Sequence, residues 1–206
     1  MSEFIDLVKK RRSANKFLKD VEIPEQDLDT IFNLVKYAPS AFNLQHTRYV
    51  VVKDPELKEK VYEVANKQYK VRTASAVIAV LGDPKAYKDV AALNEGLLNL
   101  GVINKQEYDM TVESTLAFYE ERGETFQRED AIRNASLSAM QMMLIAKELG
   151  WDTCPMIGFD PDALREALEI PSDYVPVMLV AIGKEDTSSQ RPRGYRKPVA
   201  EFVKYL

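Results

Sequence analysis

The pattern of apolar residues along the chain predicts helices that alternate with buried strands. The most continuous apolar stretch lies within residues 128–149, where only Gln141 is polar between residues 139 and 146. A surface helix keeps a polar face, so this stretch predicts a central helix covered on most sides. We expect Asp130 to cap its first turn and Gly150 to follow its last turn, over a length of roughly 30 Å.

The central helix is not predicted to cross a membrane. Its charged and polar residues, Arg133, Asn134, Ser136 and Lys147, interrupt any run of the roughly 20 apolar residues that a membrane span needs. A chain of 206 residues has few elements with which to surround such a helix. We therefore expect a second copy of the chain to help cover it.

Periodic apolar positions predict several shorter helices. They cover residues 2–12, 23–37, 54–66, 85–101 and 105–122, with a further helix that begins at Pro161. Ser2 and Asp160 are the expected N-terminal caps of the first and last of these, and Gly123 is the expected end of the fifth. The segment 85–128 is more polar than the central helix, and we interpret it as a helical cover.

Four short segments rich in β-branched or apolar residues predict strands. They are residues 47–53, 76–82, the residues from Trp151 to the turn at Gly158, and 175–183. The segments 76–82 and 175–183 are apolar throughout, which is typical of interior strands. Helices and strands alternate without a repeat or a clear linker, so we expect one domain of the α/β or α+β kind over residues 1–206.

Composition excludes several classes of protein. A net charge of −4 and an isoelectric point near 5.3 give no support to nucleic-acid binding. One cysteine, Cys154, and one histidine, His46, exclude an internal disulfide and a cysteine- or histidine-based metal site, and no metal is expected. No glycine-rich phosphate loop is present, so a bound phosphate would need arginine and lysine side chains. The first twelve residues hold no apolar run of signal-peptide length, and we expect a cytoplasmic protein with no membrane contact.

Two basic clusters lie at opposite ends of the chain, beside turn residues. The first contains Arg11 and Arg12, and the second contains Arg191, Arg193, Arg196 and Lys197. If they converge, their guanidinium groups suit a dianionic phosphate; the alternative is a solvated helix end. The loop 39–46 between them carries amides that could bind the edge of a heteroaromatic ring or only satisfy their own backbone.

In this order and spacing, a series of short motifs resembles the nitroreductase family of flavin enzymes. The motifs are Arg11-Arg12-Ser13, Ala38-Pro39-Ser40 with Asn43-Leu44-Gln45, Ala74-Ser75-Ala76-Val77, the segment 154–160, and Arg196-Lys197-Pro198. The resemblance runs nearly end to end. It implies an α+β fold, a three-layer α-β-α sandwich with a mainly antiparallel central sheet, in an intertwined homodimer. The tail 190–206 is then expected to reach the partner subunit.

The resemblance also implies tightly bound FMN at the subunit interface and NAD(P)H as the reductant. The implied cofactor-binding residues are Arg11, Arg12, Ser13, Asn15, Pro39, Ser40, Ala41, Asn43, Gln45, Gln68, Lys70, Pro155, Met156, Ile157, Gly158, Arg193, Arg196 and Lys197. Of these, the loop 39–43 would be supplied by the second subunit, and the 157–158 backbone would face the flavin N5 region. Candidate substrate contacts are Phe42, Phe118, Tyr119 and Phe126, although ordinary packing is the alternative for the last three.

The chain departs from the family pattern at three positions. Asn15 stands where the family usually has a lysine or arginine, Lys67 where it has an asparagine, and Ile157 where it has a glutamate. A cation near flavin N1 stabilises the reduced ring, so that role would fall to Lys70, Lys67 or Lys16.

The implied activity is reduction of nitroaromatics, quinones or related electron-poor compounds by an alternating hydride-transfer mechanism. Since the flavin carries the chemistry, no side chain is expected to be catalytic, and His46 and Cys154 are expected to serve structure. Three alternatives stay open: a flavin-binding protein without turnover, an enzyme of the same fold with other flavin chemistry, and a structural α/β domain with no ligand. A small-molecule acceptor is expected in either enzymatic case.

Overall fold

The computed structural model describes residues 3–206; Ser2, the expected first cap, lies outside them. Seven α-helices occur in this part of the chain: α1 (Glu3–Lys10), α2 (Glu25–Val35), α3 (Pro55–Val64), α4 (Tyr69–Thr73), α5 (Val90–Asn99), α6 (Lys105–Glu148) and α7 (Pro161–Leu168). Four strands accompany them: β1 (Thr47–Val52), β2 (Ala76–Gly82), β3 (Asp152–Met156) and β4 (Val175–Gly183). Short 3-10 turns occur at Ala41–Asn43, Ala86–Asp89, Thr187–Ser189 and Val199–Glu201.

The strands form one antiparallel sheet in the order β1-β2-β4-β3. The two fully apolar strands, β2 and β4, lie inside the sheet, as the sequence predicts. At one end of the sheet Thr47 pairs with Gly82, which pairs with Val175. At the other end Ala76 and Thr153 both pair with Ile182.

Side-chain alternation divides β2 between two hydrophobic cores, one on each face of the sheet. Val77, Ala79 and Leu81 pack toward the core that α3, α4 and α7 cover. The intervening Ile78 and Val80 pack toward the core that α2 and α6 cover. Because every residue of β2 is buried, helices must lie on both faces. The predicted α+β three-layer arrangement is confirmed.

The predicted helices 105–122 and 128–149 are the two stretches of α6. Asn104 caps the first stretch, through a reciprocal pair of bonds with Glu107 in which Glu107 N–H reaches Asn104 Oδ1 at 2.9 Å. Asp130 is wrong as a cap because it lies inside α6 with a buried carboxylate. The expected break at Gly123 is present as a residue with φ 71°, ψ −178° between two helical stretches, and Gly150 has the expected positive φ of 78°.

The outer face of α6 is not covered within this chain. Ala135, Ala139 and Met142 are fully buried against the sheet. Leu137 is 52% exposed and Met140 is 40% exposed. The nearly all-round apolar pattern of the helix therefore exceeds what one chain buries. None of the helices formed by residues 3–206 has the length and apolarity that crossing a membrane requires.

Replacing Met142 by alanine tests the buried face of α6. Met142 is 0% exposed, so Met142→Ala should lower the free energy of unfolding by about 2–5 kcal/mol through lost burial and a cavity. Urea unfolding at fixed protein concentration measures this. The exposed Glu148→Ala, on the same helix, is the control and should change stability by no more than about 0.5 kcal/mol. Equal stability of both variants would contradict the assignment of this face.

Candidate functional site

The edge strand β3 places the first basic cluster. Ser13 forms an isolated parallel bridge with Thr153, and the N–H of Ala14 donates to the Thr153 carbonyl at 3.0 Å. Helix α1 ends at Lys10, so Arg11 and Arg12 lie between the end of this helix and the outer edge of β3. The sheet edge thus holds the arginines in a fixed register with β3.

The two basic clusters meet in one cleft. Its lining consists of Arg11, Arg12, Ser13, Asn15, Arg191, Pro192, Arg193, Gly194 and Arg196. Arg193 donates to the backbone carbonyl of Arg11 at 3.1 Å and also to that of Lys9, while Arg12 donates to that of Arg191. Backbone carbonyls therefore bring together cations that are about 180 residues apart.

Electrostatics make this cleft suitable for an anion. Burial lowers the pKa of Arg11, and the neighbouring positive charges of Arg193 and Arg196 lower it further. Across residues 3–206, no carboxylate lies within ion-pair distance of these three guanidinium groups. Gathering like charges without a counter-charge is unfavourable, and a dianionic phosphate would relieve it. The donor set fits the phosphate of FMN.

The carboxyl end of β3 carries the remaining candidates on this side. Lys70 Nζ lies 3.3 Å from the buried Cys154 Sγ. Beyond the strand, the chain turns at Gly158, whose carbonyl accepts a hydrogen bond from Gln68 Nε2 at 2.9 Å. Ile157 is 82% exposed at this turn. The structure thus places Lys70, Gln68 and the 157–158 backbone along the same edge as Arg11.

Three predicted residues of this region are placed in ways that limit their roles. The side chain of Met156 is 4% exposed and packs in the core, so only its backbone could face a ligand. Pro155 is half-buried in β3, and its ring nitrogen has no hydrogen to donate. Lys197 is exposed and makes no polar contact with another residue in the described range 3–206.

The loop 39–46 forms a second, separate group of candidates. The Ser40 hydroxyl accepts the N–H of Gln45 at 3.0 Å, and Arg48 donates to the Gln45 carbonyl at 2.8 Å. The N–H of Ala41 donates to Asn134 Oδ1 at 2.8 Å. Phe42, Asn43 and Gln45 all have positive φ, between 51° and 56°. Strain of this kind in residues other than glycine is concentrated at functional sites.

The loop and the cationic cleft lie at opposite corners of the sheet. The loop enters β1 at Thr47, which is level with Gly82, whereas the cleft adjoins Thr153, which is level with Ala76 across β4. The two corners are three strand spacings apart across the sheet and six residues apart along a strand. The direct distance between them is roughly 24 Å. One chain therefore does not bring its own Ser40 to its own Arg11.

The predicted substrate aromatics form a cluster beside this loop. Phe42 is 51% exposed and its ring centroid lies 5.1 Å from that of Phe118. Phe118 also contacts Phe126, at 5.6 Å. Tyr119 is 1% exposed and its ring stacks on that of Tyr87. Its role is therefore ordinary packing in the core and not contact with a substrate. Phe42 is the member of this set that is best placed to meet a ligand.

A buried polar network lies behind the cluster, and sequence reasoning missed it. Tyr119 donates to Asp130 Oδ2 at 2.6 Å, and His46 Nε2 lies 3.4 Å from the same oxygen. The Tyr119–Asp130 bond ties the first half of α6 to its second half, and His46, just before β1, lies beside this bond with neither ring nitrogen hydrogen-bonded to a described residue. The available signal is the pair of polar residues Asp130 and Asn134 beside an apolar stretch, but in the sequence Asp130 predicts a helix cap and Asn134 only argues against a membrane span.

Comparison with known proteins identifies the family of this chain. The model of the "Nitroreductase family" matches residues 8–184. The chain belongs to the nitroreductase family. It is 59% identical, over the full length of both chains, to the "Putative NAD(P)H nitroreductase MhqN" of Bacillus subtilis (strain 168).

Solved structures of nitroreductases share the fold. The structure of ydfN from Bacillus subtilis superimposes with a TM-score of 0.97 at 58% identity, covering 99% of each chain. A nitroreductase from Exiguobacterium sibiricum, solved in complex with FMN, gives a TM-score of 0.91 at 30% identity, covering 100% of this chain and 98% of that one. The predicted family is confirmed, and with it the classification of the chain as an oxidoreductase.

The departures from the nitroreductase pattern leave Lys70 as the available cation. Asn15 lines the cleft but is neutral. Lys16 pairs with Asp186 at 2.8 Å, and Lys67 pairs with Glu63 at 3.3 Å. Lys70 makes no ion pair with a carboxylate of residues 3–206, and its ammonium group faces the Cys154 sulfur.

The buried imidazole of His46 predicts a dependence of stability on pH. Burial lowers its pKa in the folded chain despite the nearby Asp130 and Asp83, and Arg48 lowers it further. In the unfolded chain the imidazole takes up a proton near pH 6.5, whereas in the folded chain it does so only at lower pH. The free energy of unfolding should therefore decrease as the pH falls below about 6.5, by at most about 1.4 kcal/mol per pH unit from this group.

A His46→Gln variant isolates this contribution. Between pH 8 and pH 5, denaturant unfolding should show the wild type losing more stability than the variant. Carboxylates that titrate in both proteins, such as Asp186, cancel in the comparison. Parallel curves for the two proteins over this range would show that His46 does not titrate with unfolding.

Removing the arginines of the cleft tests the phosphate assignment. Arg11→Ala combined with Arg196→Ala should release bound FMN, because each charge-assisted hydrogen bond to a phosphate contributes about 1.5–3 kcal/mol. FMN retention after dialysis is measured by absorbance. Arg128→Ala with Lys60→Ala, both exposed and outside the cleft, removes the same charge and should keep the flavin. Retention by both double variants would refute the assignment.

Proposed function

We propose that this nitroreductase-family chain is an FMN-dependent NAD(P)H oxidoreductase that acts as a homodimer with two composite sites. The observation that carries the proposal is the cleft at the outer edge of β3, whose arginines have no carboxylate partner among residues 3–206, at the opposite corner from the strained loop 39–46. One site needs both groups, and two chains related by a twofold axis can supply them. The FMN complex of the Exiguobacterium sibiricum relative supports the choice of cofactor.

Exposed apolar surface supports the homodimer. Besides Leu137 and Met140 on α6, large apolar side chains of α1 and the tail are left in water by a single chain. They are Phe4 (62% exposed), Val8 (46%), Tyr195 (77%), Phe202 (66%) and Tyr205 (87%). Exposed apolar side chains of this size and number are typical of a surface that a partner subunit covers. We propose that the tail 190–206, after lining this chain's own cleft with residues 191–196, reaches the partner with its remaining residues, while residues 1–206 act as one domain.

Each candidate residue has a role that follows from its position in the site. Arg11 and Arg196, with Arg193, hold the phosphate; Ser13 and Asn15 line the way from the phosphate toward the ring. The ammonium group of Lys70 compensates negative charge at the ring's polar edge. When bound, FMN supplies the acceptance and donation of a hydride.

Side-chain acid–base catalysis has little support in this arrangement. His46 is 1% exposed and belongs to the network behind the loop, and Cys154 is 3% exposed beneath Lys70. Neither reaches the open side of the cleft. We propose that the reductant and the electron acceptor use the same open side in turn, with Phe42 of the partner subunit as an aromatic contact. Nitroaromatics, quinones and similar flat acceptors fit such a surface, and a cytoplasmic location fits the use of NAD(P)H.

An absorption experiment under anaerobic conditions tests the function. The purified protein should carry a flavin spectrum that bleaches on addition of NADH or NADPH and returns on addition of a quinone or a nitroaromatic. Steady consumption of the reductant should then depend on the acceptor. A flavin that is bound but not reduced would favour the binding protein without turnover. A colourless protein that does not take up added FMN would refute the proposal.

A further inference from the structure

Two side-chain amides converge on one backbone carbonyl at the turn after β3. Asn66 Nδ2 lies 3.0 Å and Gln68 Nε2 lies 2.9 Å from the carbonyl oxygen of Gly158. These residues are about 90 positions away in the chain, so the contact is tertiary. Two donors occupy both lone pairs of the oxygen, which fixes the plane of this peptide more firmly than one donor would.

The segment that carries the amides is itself held in an unusual conformation. Asn66 and Lys67 both adopt the left-handed region, at φ 55° and φ 56°. A third bond joins the segments, because the N–H of Asp160 donates to the Val64 carbonyl at 2.9 Å. Left-handed backbone in two consecutive residues other than glycine is costly. It places the Asn66 amide where it reaches Gly158.

The other side of the turn is also fixed. The N–H of Phe159 donates to the Ile157 carbonyl at 3.1 Å, across Gly158. The amide N–H groups of Ile157 and Gly158 donate to no acceptor among residues 3–206. A Cβ added at Gly158 would lie 3.5 Å from Gln68 Nε2 and 3.8 Å from Asn66 Nδ2. The two amides therefore lie directly against the turn, and the backbone donors remain available on its exposed side.

We propose that Asn66 and Gln68 are positioning residues, which clamp the Gly158 carbonyl so that the free N–H groups of the 157–158 turn are aimed at the bound flavin. The inference rests on the proposed function, since it gives these N–H groups a ligand. In this proposal Asn66 supports the turn, and Gln68 does the same instead of contacting the cofactor directly. Donors held in place before the reaction need no reorganisation during it.

The first test uses the protein freed of FMN and reads the turn directly. Asn66→Gly removes the amide but tolerates the left-handed backbone, so the fold is retained; Gln68→Ala removes the second donor. In the combined variant, amide hydrogen exchange of Phe159 should quicken at least tenfold. Exchange at Val180, inside β4, should not change. Unaltered exchange at Phe159 would show that the clamp does not order the turn.

The second test uses the flavin-loaded protein. The rate constant of flavin reduction by NADPH should fall about 3- to 10-fold in each single variant and up to about 100-fold in the double variant, because misplaced groups cost rate steeply. The flavin midpoint potential should shift in both single variants and should shift most in the double variant. Affinity for FMN should change less than threefold, because the arginine cleft is intact. Asn94→Ala, another amide that donates to a backbone carbonyl, is the matched control.

The outcomes separate this inference from the proposed function. Wild-type protein that binds FMN and is reduced by NADPH establishes the function independently of the clamp. Wild-type behaviour of the double variant in rate and potential would then overturn the clamp alone. Loss of FMN from the double variant, with the reduction rate preserved on reconstitution, would also overturn it, since the amides would be holding the cofactor rather than the turn. Gln68→Glu, which places an acceptor against the carbonyl, should resemble Gln68→Ala and not the wild type.

Discussion

Repulsion between arginines is the constraint on which the candidate site depends. Burial lowers the pKa of Arg11, the nearby charges of Arg193 and Arg196 lower it further, and no described carboxylate compensates the three guanidinium groups. The Arg193 guanidinium donates to the backbone carbonyls of Lys9 and Arg11, and that of Arg12 donates to the carbonyl of Arg191. These bonds hold like charges close together, and a bound anion would offset the repulsion between them. The tail and the segment that follows α1 together form the cleft.

A second constraint is the distance between the two halves of the site. The sheet order β1-β2-β4-β3 puts the loop 39–46 and the cleft at opposite edges and opposite ends of the sheet. No side-chain rearrangement within one chain closes a gap of roughly 24 Å. The exposed apolar face of α6 is not buried by any element of the same chain within residues 3–206, so only a second chain could bury it. Under the proposed function, burial of this face and assembly of the composite site would both need a partner subunit.

Much of the fold could be predicted from the sequence because its signals are local. The all-apolar runs of β2 and β4 identified interior strands, and Asp160-Pro161 marked the start of α7. The order of the strands and the convergence of Arg11 with Arg193 are long-range facts that periodicity does not contain. The family resemblance implies the convergence, through a shared cofactor, but the strand order comes from the structure alone. Asp130 was misread because an acidic residue before an apolar run favours a cap, whereas here it accepts a bond from Tyr119 inside the helix. Asn66 was missed because a lone asparagine after a helix ordinarily indicates a turn.

Subunit complementation tests the composite site most directly. One protomer carries Arg11→Ala with Arg196→Ala, and the other carries Ser40→Glu, which puts a carboxylate in the partner's half of the site. Heterodimers are isolated by two different tags, and bound FMN is counted. If each site combines two chains, one intact site forms per heterodimer, with about one FMN per two chains, while either homodimer binds none. If each site belongs to one chain, both sites of the heterodimer are damaged and no FMN is recovered, which would contradict the account.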